Sequence, residues 1–362
     1  MDKRIVLIVI LVIAVLTATS WVNYFVGSDV FQFSEPKEDV SIAVAGDVMF
    51  ARKMPGVLES VGSPFKNVEN VTKNVDILLM NFENPVTTAE VAYKGDVALK
   101  AHPVYTKLAK ANSNTILALA NNHIFDFGEA GLNDTIKNLK DNGLKVIGAG
   151  NNKDEATKPV VEDIKGRKII ILNYMDQDNF KEYSQQEMPQ ATNGGNGSNS
   201  GYSAIDWDVV KKDIDTYKEE ADMILVYLHY GNEYSHAPNA HQKEISKKFI
   251  DYGADIVVGS HTHVTEGVEV YKGKPIFYNL GNFVFDQSNV DTHLAMFLEI
   301  DLVNDTGEVT VYPIYLNNYL PEFMSPGDGK ALLNGLSPKD SALKITEKGT
   351  GKLSFSLGNV EE

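Results

Sequence analysis

The chain has 362 residues, 43% of them hydrophobic and 23% charged, a composition that supports one large packed domain or two modest ones. Its formal net charge of -16 argues against a nucleic-acid partner, whose phosphates an acidic surface repels. Cysteine is absent, which excludes disulfides, thiolate nucleophiles and Cys-ligated zinc, so any metal must be held by nitrogen and oxygen donors.

At the N-terminus, Lys3 and Arg4 precede a run without polar residues from Ile5 to Leu16, and apolar character continues to Val26. About 20 such residues suffice to cross a bilayer as a helix. The pattern predicts a transmembrane signal-anchor over residues 1–26, with Trp21, Tyr24 and Phe25 at the far interface and the basic pair in the cytoplasm. Ala18-Thr19-Ser20 also offers small residues for signal cleavage; both readings export the rest of the chain. Residues 27–38 read as a polar linker carrying a proline.

The body then alternates apolar runs with helical patterns. Ser41–Ala45 is a buried strand ending in Gly46-Asp47, Val75–Met80 ends in Asn81-Phe82-Glu83, and Thr115–Ala120 ends in Asn121-Asn122-His123. Leu132, Ile136 and Leu139, spaced four and three apart, mark a helix that closes at Gly143. Strands Lys145–Gly148 and Lys168–Leu172 follow, and then a Gln/Asn/Gly/Ser-rich stretch, 185–201, expected to be a mobile surface insertion. A helix over about Trp207–Glu220 leads into strand Met223–Leu228, which ends in His229. A second, over about Ala240–Tyr252, leads into Asp255–Val258, which ends in Gly259-Ser260-His261-Thr262-His263. Beyond it, 267–278 reads as a β-hairpin and 295–300 and 309–314 as two further strands. Residues 317–362 are weakly patterned and read as a C-terminal extension to a domain over 39–316.

Alternating strands and helices followed by consecutive strands predict an α/β fold with mixed sheets. In such folds ligands bind beyond the carboxyl ends of the strands. Asp47, Glu83, Asn122, His123, His229, His261 and His263 all sit at such ends. Carboxylates, amides and imidazoles in this combination suit two divalent cations about 3.5–4 Å apart, an arrangement fit for hydrolysis. Each residue also has a plain alternative: Asp47 as a turn cap, Glu83 as a turn residue before Asn84-Pro85, His123 and His229 as packed core groups. His102, His236, His241 and His293 lack a strand-end setting, though His236 and His241 follow close behind His229.

Gly46-Asp47-Val48-Met49, Asn81–Pro85, Ala120–His123 with Asp126 and Gly128, His229–Tyr234, Gly253–His263 and Lys274–Asp286, in that order, resemble the CapA family of poly-γ-glutamate capsule biosynthesis proteins. That family is similar in turn to calcineurin-like metallophosphoesterases, and the likeness runs from about Val40 to Leu316. It implies a four-layer α/β/β/α sandwich of the metallophosphoesterase type and a dinuclear centre of Mn, Fe or Zn. By that likeness Asp47 and His263 serve one metal, Asn122, His229 and His261 the other, and Glu83 bridges them. His123 is then the proton donor to the leaving group. Two departures stand out: Met49 occupies the position where phosphoesterases carry histidine, which weakens the first metal site, and Ser260 and Thr262 stand where the family often has histidine and proline. The implied function is synthesis, export or trimming of an anionic polymer such as poly-γ-glutamate at the outer face of the cell membrane. The expected partners are that polymer, a polymer ligase and small membrane subunits. The alternatives are a non-catalytic assembly subunit and a phosphoesterase with an unrelated extracellular substrate.

Overall fold

The computed structural model describes residues 37–93, 97–177, 189–193, 199–337 and 342–358. The expected membrane-spanning segment, 1–26, lies outside them, and among the described residues no helix is long and apolar enough to cross a membrane.

Apolar runs without polar alternation become parallel strands covered on both faces. β1 (Val40–Val48), β2 (Ile77–Phe82), β3 (Thr115–Ala118) and β4 (Lys145–Ile147) pair in parallel in that order, and β2 is buried at every position. The segment between β4 and Lys168, unassigned from sequence, supplies β5 (Ala149–Gly150) and β6 (Val160–Ile164). A second sheet places β7 (Arg167–Met175) beside β9 (Met223–His229), then β10 (Ile256–Ser260), all parallel. The expected hairpin, β11 (Val268–Tyr271) and β12 (Lys274–Phe277), closes one edge of this sheet, and β6 pairs antiparallel with β7 at the other. β13 (Asn282–Val284) crosses back to lie parallel to β1, and β14 (Leu294–Val303) and β15 (Thr306–Asn317) extend the first sheet antiparallel.

Three cores record the layering. Between the sheets, Val44, Leu79, Ile116 and Leu298 meet Ile171, Leu225, Tyr227 and Val258. On the far face of the first sheet, Leu78, Met80 and Leu117 pack on Met54 and Leu58 of α1 (Met54–Val61) and Leu132 and Leu139 of α2 (Gly128–Asp141). On the far face of the second, Ile170, Leu172 and Val226 pack on Val210 and Ile214 of α3 (Trp207–Tyr217) and Ile245 and Phe249 of α4 (Ala240–Tyr252). Neighbours such as Leu78 and Leu79 thus serve opposite faces, as the period of two requires. The order is helices, sheet, sheet, helices. Asp206 caps α3, and Asn239 with Gln242 forms a capping box on α4, which ends at the left-handed Gly253.

Two weakly patterned stretches have their described residues in regular structure. In 317–362, read as a C-terminal extension, the described residues form β16 (Leu320–Phe323), α5 (Pro326–Leu336), β17 (Lys344–Ile345) and β18 (Gly351–Ser356). β18 pairs along β15 from Thr306 to Val311 and turns Leu353 and Phe355 into the inter-sheet core. Lys274, itself buried, holds the end of this strand by donating to the carbonyls of Ser356 (2.6 Å) and Gly358 (2.7 Å) and to Asp255 (2.6 Å). The stretch 185–201 is likewise tied down where described. Ser200 and Tyr202 are buried, and Gly201–Tyr202 (β8) pairs antiparallel with β5, because backbone pairing needs no apolar side chain. Residues 185–188 and 194–198 lie outside the described residues.

Candidate metal centre

The carboxyl ends of both sheets face the same space. Asp47, next to last in β1, is in register with Asn81 of β2 and Asn282 of β13, Glu83 follows β2, and Asn122 lies in the turns after β3. From the other sheet, His229 is the last residue of β9, opposite Ser260 of β10, and His261 and His263 follow at once. Within the second sheet the chain leaving β12 closes on the end of β10, and glycine permits it: a Cβ on Gly259 would sit 2.0 Å from the Tyr278 carbonyl oxygen. His261 (φ 103°) and His263 (φ 62°) both take left-handed backbone conformations, a strained geometry of the kind that gathers at functional sites.

Donor atoms of Glu83, His229 and His261 lie within 4.8 Å of one another, and so do those of Asp47, Glu83 and His263. All five residues are buried, and Glu83 belongs to both groups. Asn122 joins the first group, its Oδ1 3.1 Å from His229 Nε2. His229 and His261 stack at a tilt with centroids 4.6 Å apart. Met49 contributes nothing to this space; it is fully buried in the core beneath α1.

Residues behind this set fix how it presents its lone pairs. Asn81 spends its two amide hydrogens on Asp47 Oδ1 (2.7 Å) and Glu83 Oε2 (3.0 Å). Ser260 Oγ donates to the Leu228 carbonyl, so toward His229 Nδ1 (3.0 Å) it must accept. That places the proton of His229 on Nδ1 and leaves Nε2 as an electron-pair donor. Asn282 repeats the device: its amide hydrogens go to Gln287 and Thr292, so its Oδ1 accepts from His263 Nδ1 at 2.9 Å. His263 Nε2 is then free to donate a pair on the side of Glu83, whose Oε1 is 3.8 Å away. Two buried carboxylates set among imidazole lone pairs carry a cost that a cation removes. The donor set fits a hard-to-borderline divalent ion.

His123 adjoins Asn122 and is oriented by Asp126, which accepts from its Nδ1 at 2.7 Å and also takes the Leu99 amide. Asp126 is fully buried, so its hold on Nδ1 fixes the orientation of the His123 ring. The remaining histidines stand apart from the two groups: His102 caps the short helix Pro103–Ala109, His293 Nε2 faces the Gln287 carbonyl, and His236 pairs with Asp291 on the surface. His241 lies 3.0 Å from buried Asp176, whose amide bonds the His229 carbonyl. Asn81, Ser260 and Asn282 were given no role from sequence. The repeated asparagines of Asn81-Phe82-Glu83 and Asn279-Leu280-Gly281-Asn282 were the available signal, since strand-end amides are natural brackets for charged neighbours.

Residues 41–287 match the model of a family described as bacterial capsule synthesis protein PGA_cap. The chain belongs to the PGA_cap family. It is 30% identical to the PGA biosynthesis protein CapA of Bacillus subtilis, an alignment covering 100% of this chain and 93% of that one. It is 26% identical to a probable polyglutamine synthesis accessory protein of Mycobacterium tuberculosis, over 63% of this chain and 60% of that one. Among solved structures, TT1561 of Thermus thermophilus aligns with 72% of this chain and 94% of its own, at 9% identity and a TM-score of 0.38. The PGA_cap match spans every strand end that supplies the two donor groups.

Proposed function

We propose that this PGA_cap protein acts on an anionic capsule polymer of the poly-γ-glutamate class, as a metal-dependent hydrolase that trims or releases it at the outer face of the cell membrane. The observation that carries the reading is the pair of buried donor groups sharing Glu83, in a chain whose relative is named for PGA biosynthesis. Asp47, Glu83 and His263 would hold one ion, and Glu83, Asn122, His229 and His261 a second, in a fold of the metallophosphoesterase type. When bound, such ions supply positive charge that stabilises a developing oxyanion and acidifies water. The protein's own part is to fix the donors: Ser260 and Asn282 hold the His229 and His263 protons on Nδ1, and Asn81 anchors both carboxylates. His123, oriented by Asp126, would serve as the group that passes a proton to the leaving group. The apolar run Ile5–Leu16 after Lys3-Arg4 supports anchoring by the N-terminus with the body outside.

The test is metal content and polymer chemistry together. Purified full-length protein is expected to carry divalent metal and to shorten γ-linked glutamate oligomers, and His261→Ala to lose both. Protein without metal, together with a His261→Ala variant that still supports polymer production, sinks the hydrolase reading. A second reading, an assembly subunit of a polymer synthase, is favoured by the relative named as a synthesis accessory protein. It predicts that His261→Ala still co-purifies with a ligase and that no oligomer is shortened.

A further inference from the structure

An acidic chain that handles a polyanion needs a local positive surface, since its overall field is repulsive. Beside the donor groups lies a cleft of about 430 Å³, within the size range of small-ligand pockets, whose walls carry Arg52, Lys53, Tyr234, Gln287, Ser288 and Asn289. Its two cations are held out by design of the backbone. Arg52 adopts a left-handed conformation (φ 53°), unusual for a residue with a long side chain, and buried Asp286 braces it. Asp286 Oδ1 accepts from Arg52 Nε at 2.8 Å and from Nη2, while Oδ2 takes the Lys53 amide at 2.9 Å. Asp286, the one acid among the described residues of the cleft wall, is thus turned inward, while the Arg52 side chain stays 44% exposed. Lys53 extends over the Tyr319 ring, its ammonium 5.5 Å from the centroid.

The cleft is coupled to the donor groups by direct contacts. The Arg52 guanidinium lies over the Phe285 ring (5.3 Å), which in turn packs on the His263 imidazole (4.7 Å). On the opposite wall, Tyr234 bonds through its amide to the Thr262 carbonyl and sits 6.1 Å, ring to ring, from His263. Gln287 joins Tyr234 to Asn282, the residue that holds His263 in place. One aromatic ring therefore separates the guanidinium from the imidazole that completes the Asp47–Glu83–His263 group.

We infer that this cleft is a carboxylate subsite, in which Arg52 and Lys53 seat an acidic group of the polymer one step along the chain from the bond presented to the donor groups. The inference rests on the polymer reading above and adds the residues that select for charge. Beyond the Nε and Nη2 hydrogens that Asp286 takes, the guanidinium keeps its Nη1 end for a carboxylate, and half-exposed cations can release water to a ligand at modest cost. The neutral walls, Tyr234, Gln287 and Asn289, supply hydrogen bonds without adding repulsion.

The test uses the full-length protein loaded with Mn2+ in a His123→Ala background, which removes the proposed proton donor so that the ligand is not consumed, titrated calorimetrically at fixed ionic strength with a γ-linked glutamate hexamer and with the neutral γ-linked glutamine hexamer. Lys53→Gln removes an exposed charge, and Arg52→Lys keeps charge but loses the fork. Each is expected to weaken the acidic hexamer about tenfold, as loss of a charge-assisted bond implies, and to leave the neutral hexamer and metal content unchanged. Because the Lys53 ammonium rests on the exposed edge of the cleft against the Tyr319 ring and hydroxyl, its substitution is expected to spare folding, which thermal unfolding checks. Variants that bind the acidic hexamer as tightly as the parent overturn the subsite alone. A parent protein with no preference for the acidic over the neutral hexamer overturns the polymer reading as well.

Discussion

Gly46 is the residue whose replacement should couple stability to metal binding most directly. It lies where β1 bulges: the register with β2 shifts between Ala45 and Asp47, and the Asp47 amide donates to the Gly281 carbonyl at 3.1 Å. A Cβ at position 46 would stand 1.8 Å from that same oxygen, and 3.0 Å is the least that real contacts show. Backbone must therefore part from backbone by at least 1.2 Å (3.0 less 1.8), since neither atom belongs to a movable side chain. Forcing a methyl into a packed interior costs about 1–3 kcal/mol, and the strained amide bond about 1 kcal/mol more. Gly46→Ala should then lose roughly 2–4 kcal/mol in urea unfolding, with the slope unchanged. The same shift draws the Asp47 carboxylate away from Asn81 and His263, now 2.7 and 3.4 Å distant, so metal content measured by mass spectrometry should fall in step. A variant within about 0.5 kcal/mol of the parent, with its metal intact, would show that the close approach of β1 to Gly281 is not what positions Asp47.

Three further outcomes are expected. Ser260→Ala frees the His229 Nδ1 proton and should lower metal affinity about 10- to 100-fold in a chelator competition, while Ser260→Thr, which keeps the hydroxyl, should recover part of it. Burial raises the Glu266 carboxyl from 4.5 to about 8, with the Gln242 amide bond only partly opposing. The folded chain then holds a proton that the unfolded chain releases, so stability should fall as pH rises from about 4.5 to about 8 and level off beyond, by on the order of 5 kcal/mol. Glu266→Gln should flatten that slope and exceed the parent in stability near pH 9 in chemical unfolding; an unchanged pH profile would exclude Glu266 as its source. Lys274→Met leaves Asp255 buried without its ammonium and two carbonyls of the last strand without a donor, and should cost about 3–5 kcal/mol; pairing it with Asp255→Asn should restore much of this.

The readability of the chain followed the physics of each segment. β9 and β10 are unbroken apolar runs because parallel strands in the middle of a sandwich touch hydrophobic groups on both faces, so their ends, and His229, His261 and His263, were visible. β6, at a sheet edge with one buried position in five, carried no comparable pattern. β18 did alternate, Leu353 and Phe355 inward and Lys352 and Ser354 outward, but six residues of ordinary polarity after a weak stretch do not announce a strand that completes a sheet. The described parts of the Gln/Asn-rich segment are held by main-chain bonds, to which composition is blind. The donors could be read from the chain. The amides and hydroxyl that set their protons could not, since those roles appear only when strands distant in sequence stand side by side.

The two left-handed histidines set which residues could replace them. A backbone held at positive φ at positions 261 and 263 accepts glycine or asparagine with less strain than any branched side chain. Lineages that abandon the cation should therefore drift toward those two residues first, ahead of alanine or valine. A descendant reading Gly-Thr-Asn after Gly-Ser would be a fossil of this loop, its shape kept after its chemistry is gone.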